Sequence, residues 1–140
     1  MNAPVLWNEL MRLEAAMKEM PQLEIPVRHW FAPGMYAREV TIPAGACVTG
    51  KIHKYPHLNI ISAGDISVLT EEGVKRIQAP FTLLSPAGVK RVGFAHTDTV
   101  WTTIHASIET DLAKLEEHFI APSLEAYLEF QQQQLAFKEG

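Results

Sequence analysis

Five polar side chains in the middle of the chain have types and spacings suited to binding or catalysis. Lys51, His53, His57 and Asn59 lie close together, and Arg91 follows in a later segment. A neutral imidazole can ligate Zn, Fe, Ni or Mn, or act as a general base, for which His57 is the candidate. An ammonium and a guanidinium attract carboxylates and phosphates. The set therefore predicts a site that binds a small acidic ligand, with either no cofactor or a divalent metal ion.

The charges in this set weigh against a bare metal ion. Two imidazoles hold a transition metal only with further ligands. A divalent ion ~4 Å from an ammonium costs roughly 8 kcal/mol at an effective dielectric near 20, so Lys51 and Arg91 favour an anion. His105 is the candidate third metal ligand, but a short turn at Thr97-Asp98 would pair Ile104 with Arg91. We therefore expect His105 to point outwards unless a β-bulge reverses it.

Short β-type runs separated by turn residues must position these side chains. With a period of two, Lys51 and His53 share one face, and His57 and Asn59 share a face of the next run. Eight evenly spaced runs predict a closed barrel or jelly roll. The runs span residues 36–42, 48–53, 58–61, 66–70, 74–77, 81–84, 89–94 and 100–104.

Helical patterns flank the β-rich region in what we expect to be a single domain, 1–140. Apolar residues at three- and four-residue steps predict a helix over 1–21, ended by Pro21. The barrel is predicted over 36–105 and further helices over 110–137, while 22–34 is expected to be irregular or an edge strand. The apolar first helix, with Trp7, Trp30 and Phe31, offers more hydrophobic surface than a small barrel needs, which predicts a homodimer.

Composition restricts the class of protein. The apolar fraction is 47%, the charged fraction 20% and the net charge −4, values typical of a globular protein. The absence of a basic excess argues against a nucleic-acid partner. Because Cys47 is the single cysteine and no signal peptide or long apolar run is seen, we expect a cytoplasmic protein that does not span a membrane.

The segment from Gly45 to Gly64 resembles the first conserved motif of the cupin superfamily. That motif has a Gly, five residues, a His-x-His pair, three or four residues, a Glu, six residues and a Gly. Lys51 stands at its first His, His53 at its second and His57 at its Glu. The resemblance implies a mainly β protein, a single cupin-type double-stranded β-helix (jelly-roll) barrel, whose inner face carries these side chains.

A second segment resembles the second cupin motif in part. Pro86-Ala-Gly88 matches its turn and Arg91 stands at its His, while Pro80 and Ala95 replace its opening Gly and closing Asn. The family's metal centre usually takes three His and one Glu, whereas these motif positions supply two imidazoles and two cations. The wider pattern is similar to small cupins encoded by tailed phages and prophages.

Several functions remain open at this point, including whether the chain is an enzyme. The first is a cupin-like protein that binds a small anionic ligand through Lys51, His53, His57, Asn59 and Arg91. The second is a metal-dependent dioxygenase or isomerase that uses His53 and His57. A metal-free epimerase or lyase would use His57 as base, Arg91 to hold the acid and Lys51 to stabilise an enolate. The last is an interaction protein with a host protein partner and a degenerate barrel, whose polar cluster is merely hydrogen-bonded.

Overall fold

A five-stranded sheet, a four-stranded sheet, a two-stranded ladder and three helices make up the computed structural model, which describes residues 3–20, 22–70 and 72–139. The side chain of Trp7, and Pro21 altogether, lie outside the described parts. None of the described helices is long and apolar enough to cross a membrane. In chain order the elements are α1 Ala3–Lys18, β1 Val27–Ala32, β2 Met35–Ile42, β3 Cys47–Thr49, β4 Ile52–His53, β5 His57–Ala63, β6 Asp65–Thr70, β7 Gly73–Gln78, β8 Phe81–Ser85, β9 Val92–Ala95, β10 Thr99–Ala106, α2 Leu112–Phe119, β11 Ile120–Ala121 and α3 Leu124–Glu139.

The sheets face each other as the two walls of a barrel. One has the strand order β1-β2-β10-β5-β8, the other β3-β9-β6-β7, and β4 pairs separately with β11. Alternate side chains point inwards, as the period of a strand requires. The core between the walls is made by Ile42, Ala46, Ile61, Ile66, Val68 and Ala95. The chain is therefore mainly β with helices at both ends, as the sequence predicts.

The barrel has an open seam where the two sheets end. In the described part of the chain β7 pairs with β6 alone, and β8 pairs with β5 alone. Helix α1 lies near this side, with Leu10 buried against Val92 and Leu69. Glu14 of the same helix accepts a hydrogen bond of 2.8 Å from Lys90 Nζ. This helix therefore covers part of the outer surface of the smaller sheet.

The eight predicted β-runs all contain strands, but two are shorter than predicted. The second run is divided into β3 and β4 by Gly50 and Lys51, and the seventh begins its strand only at Val92. The segment 22–34 contains β1, which is an edge strand of the larger sheet. These departures matter for the site, because the strand alternation assumed for Lys51 does not hold outside a strand.

The predicted pairing around Thr97-Asp98 is wrong. The chain leaves β9 in one sheet and enters β10 in the other, so these strands do not form a hairpin. Strand β10 instead lies between β2 and β5. The ladder to β5 has a register shift between Val100 and Trp101. The direction in which the side chain of His105 points is therefore decided by the pairing of β10 with β2 and β5, and not by a pairing with Arg91.

Gly64 is the motif glycine whose replacement should cost most stability. Its φ is +107°, and a Cβ there would lie 2.6 Å from the Asp98 carbonyl oxygen. We expect Gly64→Ala to lower the free energy of unfolding by about 2–4 kcal/mol, from backbone strain and overpacking together. Urea denaturation measures the loss. Gly34→Ala is the matched control, because φ is +76° with nothing within 4 Å; equal losses in both variants would contradict the clash.

Candidate functional site

Three histidines from three different strands converge inside the barrel. They are His53 of β4, His57 of β5 and His105 of β10, and their ligand nitrogens all lie within 4.8 Å of one another. His53 Nδ1 and His105 Nε2 share a hydrogen bond of 3.0 Å. The centroid of the His57 ring lies 4.1 Å from that of His53 and 4.9 Å from that of His105. The group has the composition and spacing of a metal-ligating set.

The expectation that His105 points outwards is wrong. Its side chain is only 5% exposed. Strand β10 pairs Thr103 with both Arg38 of β2 and Asn59 of β5, and His105, two residues further on, lies on the same inner face. The His105 ring stacks on Phe119 of α2, with centroids 4.0 Å apart. Helix α2 therefore holds this imidazole against the other two.

The hydrogen bonding of His57 defines its tautomer. Its Nδ1 lies 3.1 Å from the Tyr55 carbonyl oxygen. A carbonyl oxygen can only accept, so Nδ1 carries the proton and Nε2 has the lone pair. Backbone carbonyls orient metal-ligating histidines in this way in many proteins. His57 is thus prepared to use Nε2 either as a ligand or as a base, but not as both at once.

Burial keeps all three imidazoles neutral near pH 7. It lowers the pKa of His53 to about 3 and that of His105 to about 4, and neighbouring imidazoles add to both shifts. Burial also lowers the pKa of His57, and the positive charge of Arg91 lowers it further. Neutral imidazole is the form that binds a metal ion, so a metal would displace few protons here.

These histidines line a cavity of about 490 Å³ whose lining includes residues of α2. Arg91 lines it and donates a hydrogen bond to Ser85 Oγ. Lys51 lines it too, but its ammonium pairs with Glu116 of α2 and its side chain is 59% exposed. Lys51 therefore lines the cavity from its rim, where it lies outside a strand and its ammonium is paired with a carboxylate.

Asn59 is the centre of a buried hydrogen-bond network rather than an open ligand contact. It is 2% exposed. Its Oδ1 accepts from Trp101 Nε1 at 2.9 Å and from Thr103 Oγ1 at 3.1 Å. Its Nδ2 donates to Ser85 Oγ at 2.7 Å. Through Ser85 this network connects Asn59 to Arg91, so that Asn59 acts on the cavity mainly by positioning its wall.

Two charged residues of the cavity were not singled out from the sequence. Arg38 lines it from β2, and Glu116 lines it from α2. The alternation of β2 contained a signal for Arg38, because it stands between Tyr36 and Val40 on the face that ends with Ile42. Tyr36 Oη lies 2.8 Å from His29 Nδ1, and both residues line the same cavity. The sequence contains no comparable signal for Glu116, because the position of this residue depends on where α2 packs.

Solved structures with the same architecture carry cupin domains. No protein-family model and no curated protein matches the sequence. A cupin superfamily protein from Desulfitobacterium hafniense aligns with a TM-score of 0.51 and 12% identity over 66% of this chain and 85% of its own. The Cupin_2 domain of an XRE family transcriptional regulator from Enterobacter cloacae aligns at 0.51 and 8% identity, over 61% and 99%. The barrel therefore has the cupin fold.

Proposed function

We propose that this cupin-fold chain binds one divalent transition metal ion through His53, His57 and His105, together with a small acidic organic molecule in the same cavity. One observation carries the proposal: three neutral imidazoles, two buried and one half-buried, converge in a cavity large enough for a ligand. The predicted homodimer, host protein partner and phage or prophage origin are not needed for it and stay predictions.

The donor set fits a metal ion of the kind that the cupin resemblance implies. Metal–nitrogen bonds of about 2.0–2.1 Å place ligand nitrogens roughly 3–4 Å apart. The nitrogens here lie within 4.8 Å of one another, which small ring rotations would close. Imidazole suits zinc, iron and nickel, and three protein ligands leave a position open. A bound ion would supply Lewis acidity at that position.

The repulsion of a metal ion by Lys51 and Arg91 is weaker in the folded chain than the sequence alone suggests. Lys51 is paired with Glu116 at the rim. Arg91 remains close enough for its charge to lower the pKa of His57. A carboxylate or phosphate beside the ion would offset that charge, and a guanidinium matches such groups in shape and sign. Metal and acid are therefore expected to bind better together than either does alone.

A second candidate function is binding of an acid without metal. The observation that favours it is the hydrogen bond between His53 and His105, which already satisfies one nitrogen of each ring. Binding a metal to both nitrogens requires that bond to break. In the metal-free form Arg91 and Arg38 would hold the acid, with neutral imidazoles as hydrogen-bond partners. Metal analysis separates the two candidates.

The test begins with chelator-stripped protein, titrated with Zn²⁺, Ni²⁺, Mn²⁺ and, without oxygen, Fe²⁺ in a calorimeter. We expect close to one ion per chain for at least one metal. His96→Gln is the matched control, because His96 bonds to Ser67 outside the cavity and should leave the stoichiometry unchanged. Protein that takes up no ion in any titration would rule out the metal centre.

The role of Arg91 in binding the acidic ligand is tested with the variant Arg91→Gln. Replacing the guanidinium by a neutral amide should weaken binding of acetate or phosphate by about 10-fold or more, since a charge-assisted hydrogen bond contributes about 1.5–3 kcal/mol. Zinc binding, measured in parallel, should persist, because repulsion is reduced. Arg28→Gln, on the outer face of β1 where Arg28 packs over Trp30, is the control. Equal acid affinity in both variants would remove Arg91 from the site.

A further inference from the structure

A second cavity lies behind Arg91, on the side of the barrel covered by α1. Its volume is about 660 Å³. Apolar side chains line it, among them Leu10, Ile77, Phe81 and Leu83. Charged side chains line it as well, and they form ion pairs: Lys75 with Glu72, Arg76 with Asp65 and Lys90 with Glu14. The cavity lies at the open seam between β7 and β8, where the described parts of these strands do not pair with each other. None of the described residues that line this cavity is a histidine.

The two cavities adjoin. Val68, Val89, Arg91 and Trp101 line both of them. Arg91 is the charged member of this group and bonds to Ser85, while the other three present mostly apolar surface. An acid group held by Arg91 therefore has the histidines on one side and, on the other, a cavity lined by apolar side chains and by ion-paired charges.

From this arrangement we propose that the acidic ligand has an apolar tail, such as the chain of a medium-length fatty acid, and that the tail occupies the second cavity. The inference rests on the proposed function, since it assigns the class of ligand to the same site. Its carboxylate meets Arg91 at the junction. Its chain is buried among Leu83, Phe81 and Leu10 towards the seam.

The exposed residues around the seam agree with an apolar ligand. Phe81 is 45% exposed and Leu84 68% exposed, although both line the second cavity. Large apolar side chains left in contact with water at a cavity are typical of a ligand site that is covered on binding. A short polar acid would leave the side chains of Phe81 and Leu84 exposed to water, whereas an alkyl chain would cover them.

The experiment is a calorimetric series of linear saturated acids, from acetate and butanoate to octanoate and decanoate, with zinc-loaded and stripped protein. Each added methylene that becomes buried should raise affinity about three- to fourfold. We expect a rise over at least four methylenes, followed by a plateau when the second cavity is full. 1-Octanol, which has the tail without the charge, should bind at least about 10-fold more weakly than octanoate.

Two tryptophan variants test whether the apolar tail of the ligand binds in the second cavity. Leu83→Trp, which fills the second cavity, should flatten the dependence on chain length and leave acetate affinity and zinc stoichiometry unchanged. Leu58→Trp is the matched control, because Leu58 is an exposed neighbour on β5 that lines neither cavity. If Leu83→Trp does not fold, the indole N–H resonance of Trp101 gives a second readout and should shift more with octanoate than with acetate.

The outcomes distinguish this inference from the proposed function. Protein that binds zinc and acetate but shows the same affinity for every chain length would overturn the tail and leave the proposed function standing. Octanoate affinity that is unchanged in Leu83→Trp would also overturn it. Protein that binds neither zinc nor any of the acids would overturn the proposed function itself.

Discussion

Replacing His105 by alanine should lower zinc affinity by at least about 100-fold, since even the loss of residues that only support metal ligands costs 10–100-fold. The physical reason is that two imidazoles are left, and these hold zinc only with further ligands. Competition against a chromophoric chelator measures the change. The result would be informative because His105 lies outside both segments that resemble the cupin motifs.

The alanine variant also removes the stacking of His105 on Phe119, so a second variant is needed. His105→Phe keeps an aromatic ring against α2 but offers no ligand atom, and it should lose zinc binding as fully as His105→Ala. His118→Ala is the control, because His118 is an exposed histidine on α2 that stacks on Tyr55. Zinc affinity within threefold of the unaltered chain in His105→Phe would contradict the three-histidine centre.

The stability of the metal-free protein should fall as the pH drops from about 7 to 4. Unfolded histidine titrates near 6.5, whereas burial lowers the pKa of His53 to about 3 and that of His105 to about 4. Over this range the histidines of the unfolded chain become protonated while His53 and His105 of the folded chain stay largely neutral, so acid favours unfolding. His53 alone should account for roughly 3 kcal/mol between pH 7.5 and pH 4.

Urea denaturation of chelator-treated protein at pH 7.5, 5.5 and 4.0 measures this effect. His53→Gln should flatten the dependence, because it removes the group with the lowest pKa. Carboxylates whose pKa is lowered, such as Glu116 through its hydrogen bond from Lys51, begin to contribute below about pH 5. The loss between pH 7.5 and 5.5, and the difference between the unaltered chain and His53→Gln, therefore isolate the histidines. A free energy of unfolding that is constant from pH 7.5 to 4, or the same slope in His53→Gln, would contradict burial of a neutral imidazole.

Zinc should act in the opposite direction at neutral pH. A ligand that binds only the folded chain raises its stability by about 2.7 kcal/mol when its free concentration is 100 times the dissociation constant. The gain should persist to about pH 5.5 and decline only as the pH approaches 4, where protons begin to compete with the metal for His105 of the folded chain, whose pKa is about 4. Comparing zinc-loaded and stripped protein at pH 7.5, 5.5 and 4.0 checks this.

The sequence by itself determined the strand pattern and, through the cupin resemblance, the type of barrel. Alternation over each run is a local property, so the strands and the shared face of His57 and Asn59 on β5 could be predicted with little knowledge of the rest. The spacing of His53 and His57 was sufficient to bring them together, because the two residues belong to adjacent strand segments. Gly64 was recognisable for the same reason, since the turn it occupies is local.

Only the tertiary structure decided which other groups join these two histidines. His105 faces inwards because β10 lies between β2 and β5, a pairing between segments far apart in the chain. Lys51 points to Glu116 because α2 packs over the rim. Local alternation says which side chains share a face, but it does not say which sheet a strand joins or which helix covers it; those depend on long-range packing.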